Sequence, residues 1–478
     1  MISIVFDCGA TNVRAVAINE SGSVLASKSY PNNTQADPEY PEYRIWDVNE
    51  IWDKMCSASL EILEKIPAAD IAGVTVTTFG VDGALVDKKG NILYPMISWQ
   101  CDRTAPIMAV ISKYLPLEEL YKESALQPFN FNTINKIIWL KENKASLLEK
   151  AYRFLFAPSL FRMFLSGEMI NGTTMAGTSM MTAKRDRKFS DKILASVGIT
   201  ADLFGPLAEA GEITGEVSAK AALQTGLPEG LPVIATGHDT QFAVFGSGAG
   251  INQPVLSSGT WEVLMVRSDS FIAEEEQLHQ NITTELDPVD GYFNIGNQWI
   301  ASGMLEWASR TFFNELGNNP FKDMISGAEK IAPGSNGVRV IPGFYEEFEG
   351  KGGGQISGLT MNTSRYEIYR AMLEALSLKL RKGILALEKA GGFTANSILC
   401  VGGGSKNQLW NQIRADITGL EIKAISQKET TVLGASLFVQ SATGNAASPE
   451  EARSRIEYLT EVFSPSSFAN LYKDIYKL

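Results

Sequence analysis

Residues 2–14 read ISIVFDCGATNVR, a largely apolar run that passes through a turn of small and polar residues into an alternating run. The pattern predicts a buried strand over Ile2–Phe6, a turn at residues 8–11 and a second strand over Val13–Ile18. A third strand is expected over Val24–Tyr30, beyond the next turn. The chain therefore begins with three strands, and polar groups directly follow the first of them.

The same succession returns in the middle of the chain. Residues 255–266, VLSSGTWEVLMV, again predict a strand, a tight turn and an alternating strand, and the small residues GSGAG at 246–250 precede them. Because 478 residues exceed one ordinary core, two domains are expected, 1–246 and 247–478. Two halves with the same opening suggest an internal duplication, although strand–turn–strand units are common.

Helical and strand-like patterns alternate along the rest of the chain, which predicts an α/β fold. The expected helices are Val48–Lys65, most of 104–167, 301–316, 364–390 and 407–418. The expected strands are Ile71–Thr78, Ala84–Val86, Ile92–Ile97, Leu231–Thr236 and Ile398–Val401.

The composition is that of a globular protein without a membrane segment. Hydrophobic residues make up 45% and charged residues 20% of the chain, and no apolar run is as long as a bilayer span. The opening residues lack the basic start of a signal peptide. A net charge of −12 argues against nucleic acid as a partner, but not against a nucleotide held by backbone N–H groups.

The cysteines and histidines indicate a protein of the reducing cytoplasm. Only two histidines are present, His238 and His279, which disfavours a metal centre built from histidine. The spacing of the cysteines contains no CxxC pair, and it disfavours both a disulfide framework and a zinc site. The four cysteines are Cys8, Cys56, Cys101 and Cys400.

The turn after the first strand, DCGATNVR at 7–14, is the first candidate site. Gly9 allows a close backbone approach, so that N–H groups can face phosphate oxygens. Thr11, Asn12 and Arg14 add two neutral donors and a cation. Asp7 can hold Mg²⁺ through water. The alternative is a hairpin turn with a surface arginine.

Two later turns have the composition of phosphate-binding loops. Ser257–Thr260 follows a strand, and a second such turn is needed if one ATP is held between two domains. Gly402–Gly404 lies between a strand and a helix, where the glycines let the backbone pass close to a ring or a phosphate. The alternative in both cases is a purely structural turn.

Asp239 follows the predicted strand Leu231–Thr236, at a carboxyl end where open α/β sheets bind ligands. A carboxylate in that place can accept a hydroxyl proton during phosphoryl transfer. The alternative is that Asp239 only caps the helix predicted at Thr240–Phe245.

Three stretches contain the mixture of groups that a sugar site needs: TFGVDG at 78–83, SWQCDR at 98–103 and FNFN at 129–132. Polar and charged groups there can bind hydroxyls, while aromatic rings pack on the C–H faces. The alternative is a set of turns between buried strands. The expected sugar contacts are Gly80, Asp82, Gly83, Trp99, Arg103, His238, Asp239 and Thr240.

In this order, the segments resemble the FGGY family of carbohydrate kinases over essentially the whole chain. Asn12 stands where many members carry Ser or Thr; it still donates hydrogen bonds but changes the local geometry of the turn. The family's motifs are matched by Asp7, Gly9, Thr11 and Arg14 in the first phosphate turn, by Asp239 as catalytic base, by Ser258, Gly259 and Thr260 in the second turn, and by Gly402, Gly403 and Gly404 in the nucleotide run.

The resemblance implies two domains of the ribonuclease H-like, actin-like ATPase fold with a deep cleft between them. It also implies ATP as co-substrate and Mg²⁺ held by Asp7, with Asp239 as the base. The implied nucleotide contacts are Thr11, Asn12, Arg14, Gly259, Thr260, Gly402, Gly403, Gly404 and Asn407.

Within the family, GVDG at 80–83, GHDT at 237–240 and LSSGTW at 256–261 resemble the branch that acts on 6-deoxyketoses. The implied reaction transfers the γ-phosphoryl group of ATP to L-fuculose and gives L-fuculose 1-phosphate. L-rhamnulose and D-xylulose are the alternative substrates. A non-kinase actin-like ATPase or a sugar sensor is a remote alternative, since it would need an appended binding module. The expected state is a monomer or homodimer.

Overall fold

The computed structural model describes residues 1–317, 320–343, 353–427 and 429–478. The strands are β1 (Ile2–Cys8), β2 (Asn12–Asn19), β3 (Val24–Pro31), β4 (Gln35–Ala36), β5 (Arg44–Trp46), β6 (Ile71–Thr78), β7 (Gly83–Val86), β8 (Met96–Ile97), β9 (Arg153–Phe156), β10 (Asn171–Gly172), β11 (Thr182–Ala183), β12 (Lys188–Phe189), β13 (Leu207–Ala208), β14 (Ile213–Glu216), β15 (Pro232–Ile234), β16 (Pro254–Ser258), β17 (Trp261–Ser268), β18 (Thr283–Leu286), β19 (Phe293–Ile300), β20 (Arg339–Ile341), β21 (Gln355–Ser357), β22 (Ser397–Val401), β23 (Glu421–Ile425) and β24 (Thr460–Phe463).

The α-helices are α1 (Val48–Leu63), α2 (Ala105–Met108), α3 (Leu117–Ser124), α4 (Thr133–Asn143), α5 (Ala145–Lys150), α6 (Ala157–Ser166), α7 (Thr173–Gly177), α8 (Asp191–Ser196), α9 (Ala219–Thr225), α10 (Asp239–Gly246), α11 (Glu275–His279), α12 (Ser302–Phe312), α13 (Phe321–Glu329), α14 (Arg365–Gly391), α15 (Gln408–Thr418), α16 (Thr430–Ala442), α17 (Pro449–Ser454) and α18 (Phe468–Tyr476). Single 3₁₀ turns occur at Ala68–Asp70, Asp102–Thr104, Ile111–Lys113, Lys184–Asp186, Ala201–Leu203, Asn314–Leu316, Ser335–Gly337 and Gly403–Lys406. In the described part of the chain, none of the helices is both long and apolar enough to cross a membrane.

The residues pack into two compact units, and each unit is built from three segments. Unit 1 contains Met1–Gly248, Ile272–Asn294 and Glu429–Glu457, and unit 2 contains Ala249–Phe271, Ile295–Lys428 and Tyr458–Leu478. Packing thus joins two later segments to the first half of the chain. The expected boundary between an N-terminal domain, 1–246, and a C-terminal domain, 247–478, stays a prediction.

The central sheet of unit 1 has the strand order β14-β15-β6-β1-β2-β3. β1 is mostly apolar and is buried along its whole length, as expected for a strand covered on both faces. It pairs antiparallel with β2 and parallel with β6, which in turn pairs parallel with β15. Helix α1 packs on β2 and β3, while α6 and α16 pack on β6. The predicted opening of three strands is confirmed.

Two of the predicted strands are shorter than expected. Ile92–Ile97 forms a strand only at Met96–Ile97, and Ile92 makes an isolated bridge with Val86. Pro95 lies between them and lacks the N–H that a continuous ladder needs. The strand predicted at 231–236 is regular only over Pro232–Ile234, and the next residue, Ala235, donates to Glu212 outside the regular ladder.

Unit 2 contains the strand order β19-β17-β16-β22-β23-β24. β16 pairs antiparallel with β17 and parallel with β22, just as β1 pairs with β2 and β6 in unit 1. This shared local topology supports an internal duplication. The long helix α14 begins with a capping box at Ser364 and Glu367. It is followed by the C-cap residue Gly392, whose φ of +68° suits a glycine.

Candidate active site

In unit 1, three chain segments meet at the carboxyl edge of the sheet. β1, β6 and β15 run parallel, so their carboxyl ends lie side by side. Backbone hydrogen bonds fix the segments beyond these ends: Phe79 donates to Cys8 (3.1 Å) and Thr78 donates to Gly237 (3.1 Å). This is the edge at which open α/β sheets usually bind ligands.

Asp239 stands at this edge as the first residue of α10. His238 occupies the N-cap position, and its side chain makes no capping bond, so Asp239 is not the helix cap. One oxygen of Asp239, Oδ1, accepts from the N–H (2.6 Å) and the hydroxyl (3.2 Å) of Thr240. Burial, followed by the charge of Asp7, raises the pKa of Asp239 to about 7. A carboxylate with this pKa suits proton transfer at neutral pH.

His238 lies beside Asp239, with its Nε2 atom 3.5 Å from Oδ1. Burial lowers the pKa of His238 and so favours the neutral ring. Gly80 makes room for this ring, because a Cβ at that position would lie 2.8 Å from Nε2. The predicted sugar residues Gly80, His238 and Thr240 are therefore gathered around Asp239.

The first turn is compact, and its polar side chains are exposed. Gly9 donates to the carbonyl of Asn12 (2.8 Å), which closes the turn, and Asn32 Nδ2 donates to the Gly9 carbonyl (2.8 Å). Thr11 and Asn12 are exposed at its tip, and Asn12 Nδ2 donates to Thr11 Oγ1 (3.1 Å). The turn thus presents neutral donors outside the sheet edge.

Arg14 is held by two carboxylates. Its Nε donates to Asp7 Oδ2 (2.7 Å), and its guanidinium forms an ion pair with Glu429 (2.6 Å). Burial opposes the charge of Arg14, but Asp7 and Glu429 outweigh it and raise the pKa of the guanidinium. Asp7 Oδ1 also accepts from the hydroxyl of Thr77 (3.0 Å). Arg14, the residue predicted to bind phosphate, is thus already paired with two carboxylates of unit 1.

Asp82 is completely buried and forms an ion pair with Lys136. Its Oδ2 atom accepts from the indole N–H of Trp46 (2.7 Å) and from the backbone N–H of Trp99 (3.0 Å). Both oxygens of this carboxylate thus have partners inside the unit. Asp82 therefore fixes the position of Trp99.

The residue before Asp82 has an unusual backbone. Val81 adopts φ +64°, which is costly for a β-branched residue. Three contacts hold it: its carbonyl accepts from Thr133 Oγ1 (2.7 Å) and Lys136 Nζ (3.2 Å), and its N–H donates to Thr178 Oγ1 (3.2 Å). Backbone strain of this kind is concentrated at functional sites.

Trp99 carries a buried donor. Within the described ranges, its indole N–H has no hydrogen-bond partner. The ring is partly buried and packs edge-on against Phe131, which stacks on Phe129 at 4.9 Å. An unsatisfied donor beside aromatic rings is what a sugar hydroxyl and an adjacent C–H face can use.

Arg103 and Gly83 are both packed against other residues inside unit 1. Arg103 is fully buried, donates to Asp37 (2.9 Å) and Tyr94 (3.2 Å), and stacks on the ring of Trp139. Gly83 allows β7 to approach β9, since a Cβ there would lie 2.5 Å from a backbone oxygen in β9. The contacts of both residues described here are with the interior of unit 1.

In unit 2, the two predicted nucleotide turns lie against each other. A Cβ on Gly402 would lie 2.6 Å from the Ser258 carbonyl, and a Cβ on Gly404 would lie 2.1 Å from Ser258 Oγ. Gly402 also has φ +90°, which favours glycine. Thr260 and Gly403 are exposed at the tips of the two turns.

Asn407 directly precedes helix α15. Its Oδ1 accepts from the N–H of Trp410 (3.1 Å), and its Nδ2 donates to the hydroxyl of Tyr369 (3.2 Å). The residue is thus the N-cap of the helix that follows the glycine run. Both the oxygen and the nitrogen of its side-chain amide therefore have hydrogen-bond partners in unit 2.

Several partners of the site were not identified from the sequence. Lys136 had a visible signal, because it interrupts the apolar positions of α4, and a buried lysine needs a carboxylate. Trp46 and Asn32 lie in short segments without a distinctive pattern. Glu429 is far from Arg14 in the chain, so no local pattern could have paired them.

Comparisons with known proteins agree with this geometry. Models of the FGGY family of carbohydrate kinases match residues 2–246 for the N-terminal domain and residues 255–442 for the C-terminal domain. L-fuculokinase from Escherichia coli (strain K12) is 44% identical over 474 residues, 99% of each chain. L-fuculokinase from Haemophilus influenzae is 43% identical over 93% of this chain and 95% of that protein.

The solved xylulose kinase from Rhodospirillum rubrum covers 100% of this chain and 97% of its own, with a TM-score of 0.90 at 20% identity. This likeness confirms the predicted fold class, two α/β units of the sugar-kinase kind. Family motifs, fold and nearly full-length identity agree, and the chain belongs to the FGGY family of carbohydrate kinases.

Proposed function

We propose that the chain transfers the γ-phosphoryl group of ATP to the O1 hydroxyl of L-fuculose. The observation that carries the proposal is Asp239, a partly buried carboxylate at the carboxyl edge of three parallel strands with a pKa raised to about 7. The choice of L-fuculose is supported by the 44% and 43% identity with the two L-fuculokinases.

In the proposed reaction, the sugar oxygen attacks the γ-phosphorus and the bond from that phosphorus to ADP breaks. The proton of the attacking hydroxyl passes to the carboxylate of Asp239. Thr240 holds one oxygen of that carboxylate and leaves the other to face the acceptor. A base in this position contributes a factor of about 10²–10⁴ in rate.

Each unit, taken by itself, contains turns whose groups suit a nucleotide. In unit 1, Thr11 and Asn12 present side-chain donors at an exposed turn. In unit 2, the turn with Gly259 and Thr260 lies against the glycine run, which we propose to pass beside the adenosine and phosphate groups. This run and the helix cap beyond it comprise Gly402, Gly403, Gly404 and Asn407.

Mg²⁺ fits the carboxylates of unit 1. In the described residues there is no cluster of three or more His, Cys, Asp or Glu that could cage a metal. Mg²⁺ does not need one, because it keeps several waters and binds through one or two carboxylates together with phosphates. Asp7 and Asp239 repel each other through their charges, and a divalent cation would relieve that repulsion. Asp7 would hold the ion, which would neutralise the phosphate charge.

For the sugar, we propose that the indole N–H of Trp99 donates to a hydroxyl and that the rings beside it receive the C6 methyl group. Phe131 and Phe129 provide that apolar surface. Gly80 and His238 complete the site around Asp239. Asp82, Gly83 and Arg103 would act through their neighbours, since their groups are already matched inside the unit.

We also propose a cytoplasmic location. All four cysteines are free and buried, which suits a reducing compartment. A monomer or homodimer stays the predicted state.

The substrate is tested by coupled ADP release over a panel of L-fuculose, L-rhamnulose and D-xylulose, with and without Mg²⁺. We expect the highest kcat/KM for L-fuculose and loss of turnover without the metal. Preference for another ketose would refute the substrate but keep the kinase. The absence of ADP release with every ketose would refute the kinase assignment for these acceptors.

A further inference from the structure

A buried ion pair lies directly beneath the two nucleotide turns of unit 2. It joins Glu262, in β17 just beyond the first turn, to Arg414 in α15, and both side chains are fully buried. The guanidinium also stacks on the ring of Trp410 at 3.6 Å, and Glu262 Oε2 accepts from the indole N–H of Trp299 (2.8 Å). The sequence analysis did not name any of these four residues as part of the site.

The pair holds Ser258 between its two members. Arg414 Nη2 donates to Ser258 Oγ (2.8 Å), and that hydroxyl donates to Glu262 Oε1 (3.1 Å). Ser258 is the residue against which the glycine run packs, at a distance that admits no side chain at Gly402 or Gly404. The ion pair therefore fixes the surface on which the glycine run rests.

A second path leads from Arg414 to the glycine run from the other side. Its Nη1 donates to Asn411 Oδ1 (2.9 Å), and Asn411 Nδ2 donates to the Ser405 carbonyl (2.7 Å). The hydroxyl of Ser405 in turn donates to the Gly402 carbonyl (2.7 Å). One guanidinium thus reaches both turns through short hydrogen bonds.

Stability alone does not explain this arrangement. A buried ion pair has a desolvation penalty that can exceed its attraction, and apolar residues of similar size often stabilise a protein as well or better. Buried pairs have their best-attested use in fixing one geometry. The location of this pair indicates which geometry is fixed.

We propose that Glu262 and Arg414 are positioning residues for the nucleotide, which set the distance between the turn at 258–260 and the run at 402–404. The inference rests on the proposed function, because it assigns both turns to ATP. It adds that nucleotide affinity depends on a charge pair that does not touch the ligand.

Glu262→Gln tests the inference. The change keeps the size of the side chain but removes its charge and leaves Arg414 unpaired. We expect the Kd for ADP, measured by calorimetry, and the KM for ATP to rise about tenfold, the size of one charge-assisted hydrogen bond. The KM for the ketose should stay unchanged, because the proposed sugar contacts lie in unit 1.

The matched control is Glu374→Gln. Glu374 is equally buried in unit 2 and pairs with Arg370, but its partners are Ser335, Tyr472 and Tyr476. We expect this variant to lose thermal stability and to keep the wild-type Kd for ADP. An equal rise of Kd in both variants would show general loosening and overturn the inference.

If Glu262→Gln does not fold, the same measurements on Arg414→Lys test the inference. Lysine retains the charge but lacks the planar fork that reaches Ser258 and Asn411 together, so the Kd for ADP should again rise. Wild-type affinity in both variants would overturn the inference and leave the kinase assignment standing. If the unaltered protein bound neither ADP nor ATP, the proposed function itself would fail, and this inference with it.

Discussion

At Asp239, burial and the neighbouring carboxylate of Asp7 both raise the pKa of the side chain. Both favour the neutral acid, and together they raise the pKa from 3.8 to about 7. The protein keeps this group in a place where its charge is unfavourable, which is typical of a catalytic residue. The sequence identified Asp239 because a strand end and a helix start are local features. Its raised pKa depends first on burial and then on the charge of Asp7, and only the folded sheet provides both.

The raised pKa predicts that Asp239→Asn stabilises the protein at neutral and higher pH. The wild-type carboxylate is protonated in the folded state and ionised in the unfolded state between pH 3.8 and about 7, so it favours folding less as the pH rises. Above about pH 7 the folded protein carries the full free-energy cost of an ionised Asp239. Asparagine has no charge and avoids this cost at every pH. Thermal melts across this range should show a gain in Tm that grows with pH and then levels off. A Tm that falls, or a gain that does not depend on pH, would contradict the burial of the charge.

At the scale of elements, the hairpins and glycine turns were predictable because each depends on neighbouring residues. An apolar run, a small-residue turn and an alternating run are enough to give β1-β2 and β16-β17. The networks that hold these turns were not predictable. Arg14 reaches Glu429, and Glu262 reaches Arg414, across long separations that leave no periodic signal. Secondary structure is local, whereas pairing of charges is a property of the packed unit.

Two glycines, Gly80 between β6 and β7 and Gly83 at the start of β7, should respond differently to alanine. A methyl group at Gly80 meets the His238 ring, which can rotate, so the fold should survive while kcat/KM falls by about tenfold or more through misplacement at the site. A methyl group at Gly83 meets the backbone of Leu155, which cannot move alone, so stability should fall by about 1–3 kcal/mol. Kinetics and denaturant titrations of both variants separate the two effects. Full activity in Gly80→Ala would show that the ring position is unimportant.

At the scale of the whole molecule, fold and substrate are set by different features. Two α/β units with the same strand topology give the sugar-kinase fold, which this chain shares with a xylulose kinase at 20% identity. Such a likeness does not choose a ketose, because hydroxyl stereochemistry is recognised by a few hydrogen bonds. The repeated opening only suggested a duplication, and the fold itself was implied by the resemblance of the motifs to the FGGY family. The sugar contacts were harder to predict, since Asp82 and Arg103 are polar residues that serve the interior.

The role of Asp239 is decided by the turnover of Asp239→Asn with L-fuculose and Mg·ATP, measured beside its Kd for ADP. We expect kcat to fall by about 10²–10⁴-fold, because asparagine cannot accept the hydroxyl proton. The Kd for ADP should stay close to that of the wild type, since the proposed nucleotide contacts are elsewhere. Near-normal turnover in this variant would contradict the assignment of Asp239 as the base.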